Sequence, residues 1–313
     1  MNKGIWLFLS SCLVFTLAQA EEEDAVRKAV SIPDIYASTD SEGFSTYKYG
    51  AGIYPVFEHG EKYTGFEYQH NYFTQGNWNS SAEQYTFITK AINPRTALGY
   101  RLNAGYNVEN GYHLLTTDSQ YGFQATDTTR VELLINRDRV ETQNSLTKGL
   151  YYTLGGASIE QQLLERLRVV VVGAYMYFSD TNTRPILRAK LIYDLVPAYG
   201  ITAQIRYRQY RDNNTNVPNN YFNPSNYDET MLALGLHKRI EGWVVNGTAG
   251  VGQQSVNHDP STTTQLYELA ATSPINSKDV YFRASAGYDK SAGFLSPSYS
   301  YRYLKADLIF PFD

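Results

Sequence analysis

The 313-residue chain has one cysteine, Cys12, and it lies inside the N-terminal apolar run MNKGIWLFLSSCLVFTLAQA. A basic start, an apolar stretch of secretory length and the small-x-small end Ala18–Gln19–Ala20 predict a signal peptide over 1–20, cleaved after Ala20. LSSC also resembles a lipidation motif, but the apolar run continues past Cys12, against that reading. Cleavage at Ala20 leaves no thiol, which excludes a disulfide framework and a thiolate metal site. Long apolar runs are missing too. Nothing after residue 20 reaches the ~18 consecutive apolar residues of a spanning helix, so a membrane crossing here has to be a closed barrel. One-sided charge is absent: the formal net charge is −4 with no basic block, which argues against a nucleic-acid partner. Catalytic motifs are absent as well. There is no Gly-x-Ser-x-Gly and no His-Glu-x-x-His, and His59, His70, His113, His237 and His258 are scattered. The expectation is a non-enzyme with no catalytic residue, no metal and no cofactor.

What is abundant is tyrosine, 28 residues against 14 phenylalanines, set in short alternating segments. VELLINRD puts Val131, Leu133 and Ile135 on one face and Glu132, Asn136 and Asp138 on the other. ITAQIRYRQY sets Ile201, Ala203, Ile205 and Tyr207 against Thr202, Gln204, Arg206, Arg208 and Tyr210. GWVVNGTAGVG and DVYFRASAGY repeat the pattern. Period two over about ten residues, with tyrosines clustered at segment ends, is the signature of transmembrane strands between aromatic girdles. A soluble sandwich or lipocalin-like barrel alternates too, but the strand length, the girdles and the secretory signal favour the membrane. The fold class expected is all-β, an antiparallel transmembrane β-barrel in the outer membrane of a Gram-negative cell.

Strands are expected near 31–38, 44–57, 63–74, 80–91, 96–107, 112–125, 128–140, 147–158, 167–178, 185–195, 200–212, 228–239, 242–255, 263–272, 279–289 and 299–312. Alternation gives the fifteen strands from residue 44 onward; the sixteenth, SIPDIYAS over 31–38, is added because the count must be even, and fourteen is the alternative. Bacterial single-chain barrels have even strand numbers with both ends in the periplasm. Reading back from residue 313 makes RIEG, VPAYG and NPRT periplasmic turns, and makes SDTNTR, NHDPSTTT and NNTNVPNNYFNPSNY outer loops. The domain plan is a signal peptide over 1–20, a short polar segment over 21–30 and a barrel over 31–313.

Several stretches resemble the C-terminal barrels of bacterial exopolysaccharide secretion proteins of the cellulose and poly-N-acetylglucosamine type. These are DSEGFSTYKYGAGIYP; RDRVETQNSL; LRVVVVGAYMYFSDTNTR with Tyr175, Ser179, Asp180, Asn182 and Arg184; and YRQYRD followed by YFNPSNYDE with Tyr221, Phe222, Pro224 and Tyr227. Together they span roughly residues 38 to 313. The resemblance implies an outer-membrane channel that exports an exopolysaccharide. That family usually carries periplasmic TPR helices, whereas only about ten residues separate Ala20 from the first expected strand, so a separate TPR-type periplasmic partner is implied. The alternatives are a general or solute-specific diffusion porin, and a receptor or adhesin barrel with a filled lumen.

The candidate pore-lining residues are those on the face opposite lipid: Glu132, Asp138, Arg188, Lys190, Gln204, Arg206, Arg208, Tyr210, Arg283, Tyr301, Tyr303, Lys305 and Asp307. A charge facing lipid at mid-membrane would cost about 2–4 kcal/mol, so these side chains should meet water. They read either as a cationic, tyrosine-rich wall that steers a polymer, or as a lumen that is merely polar, its cations paired with Glu132, Asp138, Asp228 or Glu229. SDTNTR reads as a turn clamp through Asp180, Asn182 and Arg184. Tyr221, Phe222, Pro224 and Tyr227 read as a structured loop, or as one that folds inward and narrows the pore. Phe310 and Phe312 are the candidate signal for the outer-membrane assembly machinery, although Asp313 follows them and Asp307 occupies the place where that signal often has glycine.

Overall fold

The computed structural model describes residues 26–215, 220–274, 280–291 and 299–313. The expected signal peptide, Cys12 and the cleavage point fall outside the described residues, as does part of the NNTNVPNNYFNPSNY loop. Sixteen antiparallel strands close into one barrel. They are β1 (Arg27–Asp40), β2 (Phe44–His59), β3 (Lys62–Gln75), β4 (Trp78–Ile92), β5 (Gly99–Glu109), β6 (Tyr112–Thr126), β7 (Thr129–Arg139) and β8 (Tyr151–Leu164). The second half comprises β9 (Leu167–Phe178), β10 (Thr183–Val196), β11 (Ile201–Tyr210), β12 (Tyr227–Ile240), β13 (Trp243–Val256), β14 (Thr262–Thr272), β15 (Tyr281–Ser291) and β16 (Tyr299–Phe312). Each strand pairs with its sequence neighbours, and β1 closes on β16 with Lys28 opposite Phe312. The count is the expected sixteen, not fourteen. The largest boundary differences are that β1 starts at Arg27, inside the segment expected to be a polar lead, and that β8 runs from Tyr151 to Leu164 rather than over 147–158.

Alternation becomes two surfaces. Along β12, Tyr227, Glu229 and Met231 are buried inside, whereas Leu232 and Leu234 are 63% and 56% exposed outside. Leu133, Ile159, Leu269 and Leu304 continue this apolar outer band. Outward tyrosines fall in cross-strand rows nearer one rim, with Tyr47 opposite Tyr72, Tyr68 opposite Tyr85, and Tyr85 opposite Tyr106. No helix among the described residues is long and apolar enough to cross a membrane. An apolar band with an aromatic edge on a closed ring is the surface a bilayer requires, and the protein is an outer-membrane β-barrel. The longest connections, 140–150 and 211–226, lie on the rim opposite the strand ends at Arg27 and Phe312, and that rim is the extracellular one.

Turn chemistry follows the hairpin rules. Asn110 and Gly111 have φ of 46° and 79°, the two positive values that a two-residue hairpin turn demands. On the periplasmic side, register shifts in β2 between Ile53 and Val56 and between Phe57 and His59 break strict alternation. Tyr54 and Phe57, three residues apart, can therefore both turn inward and bury against Ala29, Tyr63, Ile88, Tyr281 and Ile309. Gly65 is the space this cluster needs, because a β-carbon there would lie 2.1 Å from the Ile53 carbonyl oxygen and 2.6 Å from Tyr54 Cδ1. Gly65→Val is expected to destabilise the barrel by about 1–3 kcal/mol, the range for overpacking. Urea unfolding in detergent would register the loss, and an unchanged midpoint would mean that β2 has room to move.

Candidate functional site: the lumen and its extracellular closure

Register places all thirteen candidate pore residues on the inner face. Arg188 lies opposite Arg208, Lys190 opposite Arg206, Ile192 opposite Gln204 and Ile186 opposite Tyr210. Arg283 lies opposite Asp307, Ser285 opposite Lys305, Gly287 opposite Tyr303 and Asp289 opposite Tyr301. Glu132 lies opposite Ser158 and Asp138 opposite Tyr152. A cavity of about 300 Å³ opens along the β9–β15 side of the lumen, bordered by Arg188, Lys190, Gln204, Arg206 and Arg208.

The charges are partly neutralised. Arg208 Nη2 lies 2.6 Å from Glu229 Oε2, and Arg283 pairs with Asp307. Asp307 Oδ1 also accepts from Ser31 Oγ at 2.7 Å. Asp228, expected as a possible partner of the basic wall, is not one. It lies on the alternate, outward face of β12 and accepts the Tyr207 hydroxyl at 3.0 Å. Next to these pairs stands an inward tyrosine row. Tyr36 stacks on Tyr303 at 6.3 Å, Tyr303 on Tyr301 at 6.1 Å, and the Tyr36 and Tyr301 hydroxyls are hydrogen-bonded.

The expectation of a polar lumen needs correction along β7–β10. There Leu134, Leu154, Val170, Val172, Met176 and Ile192 turn inward as one buried cluster. After Arg168, VVVVGAYMYF has no polar alternate on the inner side because both faces of β9 are covered, one by lipid and the other by apolar neighbours. A continuous apolar run of strand length carries that meaning.

The extracellular mouth is bridged by two loops. Residues 140–150 contain α1 (Gln143–Thr147), an element the strand reading missed. Thr142 caps it by accepting from Ser145 N at 3.1 Å. Its Leu146, fully buried, packs on Phe44, Phe73 and Ala82, and Glu141 reaches Lys48 on β2 at 2.7 Å. The β7–β8 loop thus crosses the mouth to the opposite wall. Asn220 of the β11–β12 loop joins it. Its carbonyl accepts from Thr142 Oγ1 at 2.5 Å and Ser145 Oγ at 2.7 Å, and its Oδ1 accepts from Lys148 Nζ at 2.7 Å.

The β11–β12 loop is fastened at its other side by the SDTNTR turn. Tyr221 lies flat on Phe178 at 4.3 Å and donates to Asp180 Oδ1 at 2.9 Å. Burial raises the Tyr221 phenol above its ordinary pKa, so it stays a neutral donor. Arg184, 2% exposed, grips Asp212 through Nε at 2.9 Å and Nη2 at 2.7 Å, and also donates to the Phe222 carbonyl at 2.5 Å. Asn182 Oδ1 accepts from Asn214 N at 2.9 Å, and the Pro224 carbonyl accepts from Asp212 N at 2.9 Å. Phe222 packs edge-on to Tyr227, which stacks on Tyr210 at 4.5 Å. YFNPSNY therefore folds onto the rim and is clamped there. The two loops, which sequence reasoning treated separately, form one bridge.

Comparison with known proteins places this fold. No family profile and no curated protein sequence matches the chain. Among solved structures it is similar to a bacterial polysaccharide outer membrane secretin, at 15% identity and TM-score 0.64, over 94% of this chain and 100% of that one. It also aligns with the outer membrane protein OprD from Pseudomonas aeruginosa (12% identity, TM-score 0.43, 93% and 94% of the two chains). The anion-selective porin from Comamonas acidovorans aligns at 10% identity and TM-score 0.40, over 92% and 99%.

Proposed function

We propose that this outer-membrane barrel is a non-enzymatic conduit through which an exopolysaccharide leaves the cell. The observation that carries the reading is the inward row of Tyr36, Tyr301 and Tyr303 standing beside ion-paired walls. Phenol rings present an apolar face to a sugar ring and a hydroxyl at the edge. Several such contacts, each weak, let a polymer advance, whereas one strong site would stall it. The fold likeness to a barrel described as a polysaccharide secretin supports this reading. Synthesis at the inner membrane would drive export, and a separate TPR-type periplasmic protein would deliver the chain.

The test is gene deletion followed by assay of secreted polysaccharide. Export predicts loss of the secreted polymer with synthesis intact, and normal secretion would refute it. One observation favours a second reading, a diffusion porin: the β7–β8 and β11–β12 loops narrow the mouth as a constriction would. A porin would pass small solutes in planar bilayers and leave secretion unchanged when deleted.

A further inference from the structure

Like charges face each other at two kinds of place in the lumen. Lys90 lies opposite Arg101, but each has its own acid, Glu61 at 2.7 Å and Asp118 at 2.9 Å. Between β10 and β11 two consecutive inward rungs are both cation on cation, Arg188 opposite Arg208 and Lys190 opposite Arg206. Among the described residues, neither Lys190 nor Arg206 has a carboxylate within ion-pair distance. On their other sides stand Val170 beside Lys190 and Met231 beside Arg206. Apolar neighbours supply no countercharge. Of the five cations that border the cavity, Arg168 is held by Asp194 at 3.2 Å, and the carboxylates of the lining are Glu229, Glu268 and Asp289. Glu229 is already engaged by Arg208. Like charges directly opposite each other destabilise a sheet, and here two such rungs stack about 7 Å apart.

We infer that the paired rungs Arg188–Arg208 and Lys190–Arg206 form a subsite for the anionic groups of an acidic polysaccharide. This rests on the conduit reading and adds the substrate class, a polyanion. An acid group entering the cavity relieves repulsion within both rungs, and the two rungs can engage acid groups on different sugars of one chain. Single charges would gain only one such contact, so the subsite favours polymer over monomer.

The test is calorimetry at low salt on the whole barrel in detergent, using hexagalacturonate, cellohexaose and galacturonate as probes. Hexagalacturonate is expected to bind at least tenfold tighter than either other sugar. Lys190→Gln with Arg206→Gln should remove that advantage, and Lys190→Arg with Arg206→Lys should keep it, in variants that retain the heat-modifiable folded band. Equal binding of the acidic and neutral hexamers, or no effect of the glutamine pair, would overturn the subsite and leave the conduit standing. Galacturonate matching its hexamer would overturn the polymer in favour of a small-anion channel. Failure of the wild type to bind any of the three saccharides would overturn the subsite, and the conduit would then stand or fall on secretion in the deletion strain.

Discussion

Arg184→Ala is expected to unfasten the β11–β12 loop and make the chain after Arg211 at least tenfold more sensitive to trypsin. The argument is electrostatic. Arg184 and Asp212 are both nearly inaccessible, and the arginine also holds the Phe222 carbonyl. Removing the cation strands a buried carboxylate, which typically costs about 3–5 kcal/mol. That exceeds what the remaining clasps, Tyr221 on Phe178 and Asn220 on α1, can offset one at a time. Removing both charges should cost much less. Loss of water outweighs the Arg184 charge at Asp212 and keeps its carboxyl above the ordinary carboxylate range. The pair accordingly fixes loop geometry more than it adds net stability. Arg184→Met with Asp212→Leu should therefore keep more protease resistance than Arg184→Ala alone. If the double variant is the more sensitive of the two, the pair contributes net stability and this account is wrong.

Phe312→Ala is expected to cut the amount of folded barrel in the outer membrane several-fold, whereas removal of Asp313 should leave it near wild type. Leu304, Phe310 and Phe312 lie on the outer face of β16, 53%, 37% and 44% exposed, with both phenylalanines at the periplasmic end. We propose that this aromatic end is what the assembly machinery reads. Asp313 follows the strand and carries its charge in water, where it costs little. Pro311 is tolerated beside it because a strand end need not donate at every position. Heat-modifiable gel migration of the membrane fraction would measure both variants, and equal effects would place the signal elsewhere.

Much of this molecule was legible because a barrel strand writes both of its environments into a period of two. Leu133 beside Glu132, and Ile205 between Gln204 and Arg206, assign inside and outside without any knowledge of neighbours. The parity of a closed ring then required a sixteenth strand, and SIPDIYAS supplied it. The pattern failed where one side chain answers to two elements. The run at Val169–Val172 signalled cover on both faces but could not say what lies against the inner one. In α1, Thr142 followed by Ser145, with Gly149 just beyond, was a short helix signal that strand periodicity overrode. Arg184 and Asp212, 28 positions apart, leave no trace of their pairing in either local sequence. Asp228 was assigned to the wrong partners because no strand register had been worked out for it; β12 alternation alone places it outside.

Because Lys28 and Phe312 are register partners, the first and last strands leave the ring side by side on one rim. A short linker could join Asp313 to Arg27, and the chain could be reopened at the exposed periplasmic turn Glu165–Arg166. Such a circular permutant would keep every strand pair but make β8, ending in Leu163 and Leu164, the last strand synthesised. The last place in synthesis would then be separated from the sequence of β16, which decides whether closure needs a particular final sequence or only a final strand.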